Sequence, residues 1–70
     1  MIHGSPSAEF DGVEVVDHTG LILMCRVGQK IVGVPPSLTR AGTTIAKKGD
    51  YGRLVLSRGL AWNLGLISDR

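Results

Sequence analysis

The stretch VEVVDHTGLILMCRV, residues 13–27, decides the fold because it predicts a β-hairpin. Its first strand places Val13 and Val15 on one face. The letters DHTG then supply turn residues, among which Gly20 can adopt a positive φ. The second strand, residues 21–27, is apolar on both faces for most of its length. We therefore expect it to be a central strand or to lie at an interface.

Outward from this hairpin, glycine and proline recur about every eight to ten residues, the spacing typical of short strands. Pro35 and Pro36 end one predicted strand because proline donates no ladder hydrogen bond. Further strands are predicted over residues 30–34, 43–47 and 53–56. The sequence therefore predicts an all-β or β-rich domain of about five short antiparallel strands, either barrel-like or built from swapped hairpins.

A short C-terminal helix is predicted over residues 58–64. Ser57 has the chemistry of an N-cap, Leu60 and Leu64 lie at helical spacing, and Gly65 fits the position just past the helix end.

The chain has 70 residues and a mean hydropathy of +0.17, which is apolar for so small a domain. We expect a flexible N-terminal arm over residues 1–9 and a single domain over residues 10–70. Surplus apolar surface is commonly buried between subunits, so we expect a homo-oligomer, a dimer or larger.

No apolar run approaches the roughly 20 residues that cross a bilayer. Residues 1–7 lack the charged start and apolar stretch of a signal peptide. These patterns predict a cytoplasmic protein with no membrane partner.

The sequence predicts no enzyme and no metal, cofactor or catalytic site. His3 and His18 have no ligand partners at a suitable spacing, and Cys25 lies in the most apolar segment, where a buried structural thiol is expected. Asp50 is an isolated loop carboxylate that suits a turn. A ligand or active site assembled at the symmetry axis of an oligomer is the alternative that this pattern leaves open.

Charge is distributed unevenly along the chain. Residues 1–29 carry four carboxylates against Arg26, whereas residues 30–58 carry six cations against Asp50. A basic half can attract phosphate backbones, although a solvated face of ordinary cations has the same composition. Phe10, Tyr51 and Trp62 stand too far apart to predict a platform for stacking bases, and we expect Trp62 to be a core or interface anchor.

Residues 44–66 comprise a strand, a loop ending in Gly52-Arg53, an apolar strand, a short helix and the run Leu64-Gly65-Leu66. This order resembles the first half of the AbrB/MazE-type swapped-hairpin domains. The resemblance implies an obligate dimer that binds duplex DNA through its first hairpin, with Lys47 and Arg53 at the matching positions.

The sequence departs from that family at three places. Ser57 stands where proline is usual, Ala61 and Trp62 stand where arginines often contact DNA, and the second hairpin would begin after Arg70. Because residues 11–27 resemble that second hairpin, we hypothesise a circular permutation. The hypothesis requires residues 13–27 to pair with predicted strand 43–47 or 53–56.

These features predict a small oligomeric nucleic-acid-binding (DNA-binding) protein with a basic hairpin face. Its expected site residues are Lys47, Lys48, Arg53, Arg58 and Arg40. The alternative is a small β-barrel protein-interaction or assembly module without enzymatic activity, which requires an exposed apolar patch near Leu38 or Trp62.

Overall fold

The fold is a four-stranded antiparallel sheet with one short helix at its C-terminal end, seen in a computed structural model that describes residues 6–68. The β-rich class and the C-terminal helix are confirmed. A 3-10 helix, Pro36–Leu38, follows the third strand. The elements are β1 (Ser7–Thr19), β2 (Ile22–Val27), β3 (Lys30–Val34), β4 (Tyr51–Ser57) and α1 (Arg58–Asn63), with the strands in the order β3-β2-β1-β4.

One face of the sheet forms the core. Leu54 and Leu56 of β4 lie there, and so does Ile45 from the segment before β4. Side chains of the C-terminal region, among them Leu60, Leu64 and Leu66, pack against this cluster. The other buried members are Val13, Val15, Leu23, Cys25, Val32 and Val34. Alternation along each strand places these side chains on the same face.

Strand β1 contains two register irregularities, and they keep its apolar side chains on the core face of the sheet. It pairs with β4 through Phe10 opposite Leu54, and then the register shifts before Val13. Gly12 lies in that shift with φ 70°, a backbone conformation that favours glycine. A second shift lies between Val15 and Asp17 in the pairing with β2. Phe10 and Val13 are three residues apart, so strict alternation would place them on opposite faces of the sheet. The first shift instead places both side chains on the core face.

The hairpin predicted from residues 13–27 is present, with different boundaries. Asp17, His18 and Thr19 continue β1, and the reversal consists of Gly20 and Leu21. Asp17 therefore pairs with Met24 instead of forming the turn. Strand β2 lies between β1 and β3, so the expectation of a central strand is confirmed.

The prediction of a fifth strand over residues 43–47 is wrong, and the sheet does not close into a barrel. The backbone N–H groups of Arg40 and Thr44 donate to the carbonyls of Val55 and Arg53. Between these two bonds the segment from Arg40 to Thr44 advances four residues, whereas β4 advances only two. Paired strands advance by equal numbers of residues, so this segment does not form a regular β-ladder with β4. The Thr43 hydroxyl bonds to both backbone groups of Val55 in place of a partner strand's backbone.

The N-terminal boundary of the domain also differs from the prediction. Residues 7–9, which the sequence predicts as part of the arm, begin β1, and Ala8 is buried opposite Leu56. The carbonyl of Pro6 accepts from the N–H of Arg58 and so extends this pairing by one residue. The remainder of the predicted arm, residues 1–5, lies outside the described residues.

Helix α1 is capped at both ends as its sequence predicts. The Ser57 hydroxyl accepts from the N–H of Leu60 at 3.1 Å. At the other end the N–H of Leu66 donates to Ala61 and that of Gly65 donates to Trp62. These two bonds form a Schellman motif with Gly65 at φ 76°. The motif turns the chain so that Leu66 packs against the core.

Two glycine-to-alanine substitutions should have opposite effects on stability. Gly65→Ala should lower the free energy of unfolding by about 1–2 kcal/mol, because alanine is strained at a positive φ. Gly59→Ala should raise it by roughly 0.5 kcal/mol, because Gly59 lies in the helix and a Cβ there meets nothing within 4 Å. Urea denaturation followed by circular dichroism measures both, and equal signs would contradict this account.

Candidate functional site

The loop before β4 holds Lys47 against a carboxylate. Asp50 Oδ2 accepts from the backbone N–H groups of Ala46 and Lys47, and Asp50 Oδ1 accepts from Lys47 Nζ at 2.9 Å. The hydrogen bond from the Lys47 side chain and the two from the backbone lower the pKa of Asp50. The loop is attached to β1 because Val15 exchanges backbone bonds with Gly49 and Asp50. Asp50 is thus a turn former, as expected, and also the partner of Lys47.

Arg53 is paired with the acidic part of β1. Its Nε donates to Asp11 Oδ1 at 2.9 Å, and this bond together with the charges of Asp11 and Glu9 raises the pKa of Arg53. The antiparallel register accounts for the pairing, because Glu9 lies opposite Val55 and Asp11 lies in the adjacent register shift. The positive charge of Arg53 is therefore partly compensated within the chain.

The remaining predicted site residues are distributed along β4 and beyond it. Lys48 is exposed in the loop before the strand, and Arg58 is the first residue of α1 after the strand. Arg40 lines a groove with Leu38 and Leu60 near the far end of β4. Arg53 and Arg58 are five residues apart, roughly 17 Å along an extended chain. The five cations therefore follow the length of one edge of the sheet and do not form one compact cluster.

An exposed apolar surface lies at the opposite edge. We define the hairpin surface as Leu21, Ile22, Met24, Ile31 and Gly33, with Pro35 and Pro36 beside them. Leu21 is 82% exposed and Ile31 is 51% exposed, whereas Ile22 and Met24 are partly buried. A Cβ placed at Gly33 would lie 3.1 Å from Ile22 and 3.3 Å from Met24, so these two side chains cover the glycine.

This surface continues into a groove at the start of the 3-10 helix. The groove is lined by two short segments, residues 20–22 and residues 35–37. Ser37 also lines the groove that contains Leu38, which is 49% exposed. Apolar side chains are therefore accessible on both sides of the 3-10 helix.

Trp62 does not anchor the core, contrary to one of its two expected roles. Its side chain is 58% exposed because Ala61 is the residue of α1 that is buried. Tyr51 is 68% exposed at the start of β4. Phe10, Tyr51 and Trp62 lie in different elements, as their spacing predicts.

Few groups within residues 6–68 have the chemistry of a catalytic or metal site. Within that range no three His, Cys, Asp or Glu side chains are placed to hold a metal ion. Cys25 is buried as predicted, and burial raises the pKa of its thiol. His18 is exposed, and its backbone N–H donates to the Asp17 carboxylate.

Sequence reasoning missed the pairing of the cations and the hairpin surface. The acidic partners Asp11 and Asp50 were visible as residues, but their positions depend on the β1–β4 register and on the loop conformation. The signal for the surface was the apolar content of both faces of β2, together with Ile31 on the neighbouring strand.

No protein-family model, curated protein or solved structure matches the chain significantly. The resemblance to the AbrB/MazE-type domains therefore stays a prediction. The permutation hypothesis also stays a prediction, because Val13 and Glu14 pair with Gly52 and Tyr51, whereas residues 54–56 pair with residues 8–10 of β1. Within residues 6–68, no helix has the length and apolar character needed to span a membrane.

The lowered pKa of Asp50 predicts how the loop responds to acid. A carboxylate with a depressed pKa in the folded state contributes stability above its unfolded-state pKa, and this contribution is lost as the pH falls through the folded-state pKa. We expect the Asp50 carboxyl carbon to titrate in an NMR experiment below the ordinary aspartate range. The amides of Ala46 and Lys47 should shift with the same midpoint. A midpoint at or above the ordinary range would contradict the assigned hydrogen bonds.

Proposed function

We propose that this domain is a protein-assembly module that associates with a second copy of itself through the hairpin surface. The supporting observation is the exposure of Leu21 and Ile31 beside an apolar groove, at the edge of the sheet opposite to the one that carries Lys47 and Arg53. Association would remove these apolar groups from water, which is the main driving force of most protein–protein contacts.

Charge also favours this proposal over a basic binding face. Arg53 and Lys47, the two residues implied by the family resemblance, each form an ion pair of 2.9 Å with a carboxylate of the same chain. An incoming phosphate would compete with these carboxylates. On the face of the sheet that carries the hairpin surface, Arg26 and Glu14 form a further ion pair at 2.9 Å, and Asp17 lies opposite Met24.

Light scattering across a range of protein concentrations tests the proposal. We expect the apparent mass to rise from that of the 7.4 kDa chain toward twice that value. Leu21→Lys should shift this rise to higher concentration, because it places a charge on the hairpin surface. Trp62→Lys is the matched control, since it charges an exposed apolar position elsewhere and should leave the association unchanged.

A monomeric mass at every concentration would overturn the proposal. So would an equal effect of the two lysine variants, because the association would then not depend on the hairpin surface. Salt provides a further check, since burial of apolar surface is not weakened by salt as charge pairing is.

The second candidate function is binding of duplex nucleic acid through the basic residues near β4. One observation favours it: Lys48 is exposed next to Lys47, and among residues 6–68 no carboxylate lies within ion-pair distance of its ammonium group. Contacts from such residues to phosphates would position the protein without reading sequence.

Electrophoretic mobility of a generic duplex at low and moderate salt tests this second function. Lys48→Ala should weaken binding at low salt and reduce the slope of log affinity against log salt by about 1. Lys30→Ala is the matched control, because Lys30 lies on β3 at the other edge of the sheet. The absence of any shift at low salt would exclude this function.

A further inference from the structure

The two edges of the sheet differ in how their backbone groups are satisfied. Along β4 the carbonyls of Arg53 and Val55 accept from Thr44 and Arg40, and the Thr43 and Thr44 hydroxyls accept from the N–H groups of Val55 and Arg53. Residues 40–44 thus cover that edge from within the chain. Strand β3 is the other edge of the sheet.

The register of the β2–β3 hairpin identifies the backbone groups that β3 directs outward. Val27 pairs with Lys30 across a two-residue turn, and Val32 and Val34 pair with Cys25 and Leu23. Since hydrogen-bonded and non-bonded pairs alternate, Lys30, Val32 and Val34 bond to β2, and Ile31 and Gly33 point their N–H and C=O groups away from the sheet. Among residues 6–68, no backbone bond is formed by these outward groups.

Between Ile31 and Val34 the edge of β3 has none of the charges, prolines or bulges that often block strand addition. No charged side chain occurs between Ile31 and Val34, and the first proline comes just after the strand, at Pro35. The Nζ of Lys30 lies 2.9 Å from the position a Cβ would take on Gly65, so this lysine reaches toward the C-terminal region. From Ile31 to Val34 this edge is uncharged and unbulged, and such an edge is a template for another strand.

We propose that β3 pairs antiparallel with β3 of a second copy, with the two-fold axis at Val32. This inference rests on the proposed function and specifies the geometry of its interface. In this register Ile31 of each copy lies opposite Gly33 of the other, and each such pair exchanges two hydrogen bonds. All four outward groups of each strand then have a partner, and the two sheets become one continuous sheet.

Neighbouring registers satisfy fewer groups. If Gly33 lay opposite the Gly33 of a second copy, Ile31 would face Pro35, which has no N–H to donate. If Ile31 lay opposite the Ile31 of a second copy, Gly33 would face Gln29, which belongs to the hairpin turn. The register centred on Val32 is the one that keeps both bonded pairs within the strands.

Side chains fit the same register. Ile31 is on the face of the sheet that carries Ile22 and Met24, and those two side chains cover Gly33. In the proposed pairing the exposed Ile31 of one copy lies over the glycine of the other, in contact with its Ile22 and Met24. The pairing would thus bury the centre of the hairpin surface twice, once on each copy.

The size of the contact sets its expected strength. Standard interfaces bury about 800 Å² on each partner, and the accessible surface of this chain is 4339 Å². A five-residue edge with the adjoining apolar side chains supplies less than a standard interface. We therefore expect a reversible dimer that forms at high protein concentration.

Disulfide cross-linking tests the register directly. Val32→Cys in a Cys25→Ala background should give a covalent dimer under mild oxidation, because opposed residues in a non-bonded pair have Cα atoms about 4.5 Å apart, within disulfide range. Lys30→Cys in the same background is the control. Its two copies would be four residues out of register, roughly 13 Å apart, and should cross-link several-fold less even though Lys30 is exposed.

Light scattering with Ile31→Lys and Leu38→Lys gives an independent readout that does not require a cysteine at a buried position. The two side chains are 51% and 49% exposed, so the variants add the same charge at equally exposed positions. Ile31→Lys should leave the protein monomeric at concentrations where the unsubstituted chain dimerises, and Leu38→Lys should not.

The outcomes separate this inference from the function on which it rests. If the chain associates and Leu21→Lys weakens association, but Val32→Cys does not cross-link preferentially and Ile31→Lys has no effect, the β3 pairing is wrong and association uses only the part of the hairpin surface around Leu21. A chain that stays monomeric throughout overturns both. If Val32→Cys fails to fold by circular dichroism, the Ile31→Lys and Leu38→Lys pair decides the question.

Discussion

Strand β1 is the element on which the rest of the structure depends, because it pairs on one side with the β2–β3 hairpin and on the other with β4. Strict alternation over the thirteen residues of β1 would not place all of its apolar side chains on the core face. Ala8 is buried at an even position, whereas Val13 and Val15 are buried at odd positions, so the phase of the alternation changes along the strand. The register shifts after Phe10 and after Val15 correct that phase. As a result, side chains from all four strands meet in one core, although each strand is short or irregular.

Local features of the fold were predictable because their determinants lie within a few residues of one another. The apolar run of β2, the cap at Ser57 and the glycine after α1 each specify a conformation through neighbouring atoms. The extension of β1 to Ser7 and the loss of the strand at residues 43–47 were not predictable in this way. Both depend on contacts with the two edges of β4. The residues that make these contacts, such as Ser7 and Thr43, lie more than ten positions from their partners along the sequence.

Threonine chemistry explains why residues 43–47 have the composition of a strand without forming one. Thr43 and Thr44 are β-branched and favour extended backbone, so they raise strand propensity. Here their hydroxyls bond to the N–H groups of Val55 and Arg53 and replace the backbone of a partner strand. The edge of β4 is thereby closed with side chains, which leaves β3 as the edge whose outward groups have no such cover among residues 6–68.

The candidate site was harder to predict than the fold. The sequence shows how charges are distributed along the chain, whereas the electrostatic field depends on which charges become neighbours in the folded structure. Acidic residues concentrate in the first half of the sequence and basic residues in the second. Antiparallel pairing of β1 with β4 then places Asp11 beside Arg53, and the turn before β4 places Asp50 against Lys47. Segments of opposite charge that become neighbouring strands offset each other's field, so an uneven linear distribution does not by itself give a basic face. The exposed apolar side chains Leu21 and Ile31 are not covered in the same way, and this difference is the reason why we propose assembly rather than nucleic-acid binding as the role of the domain.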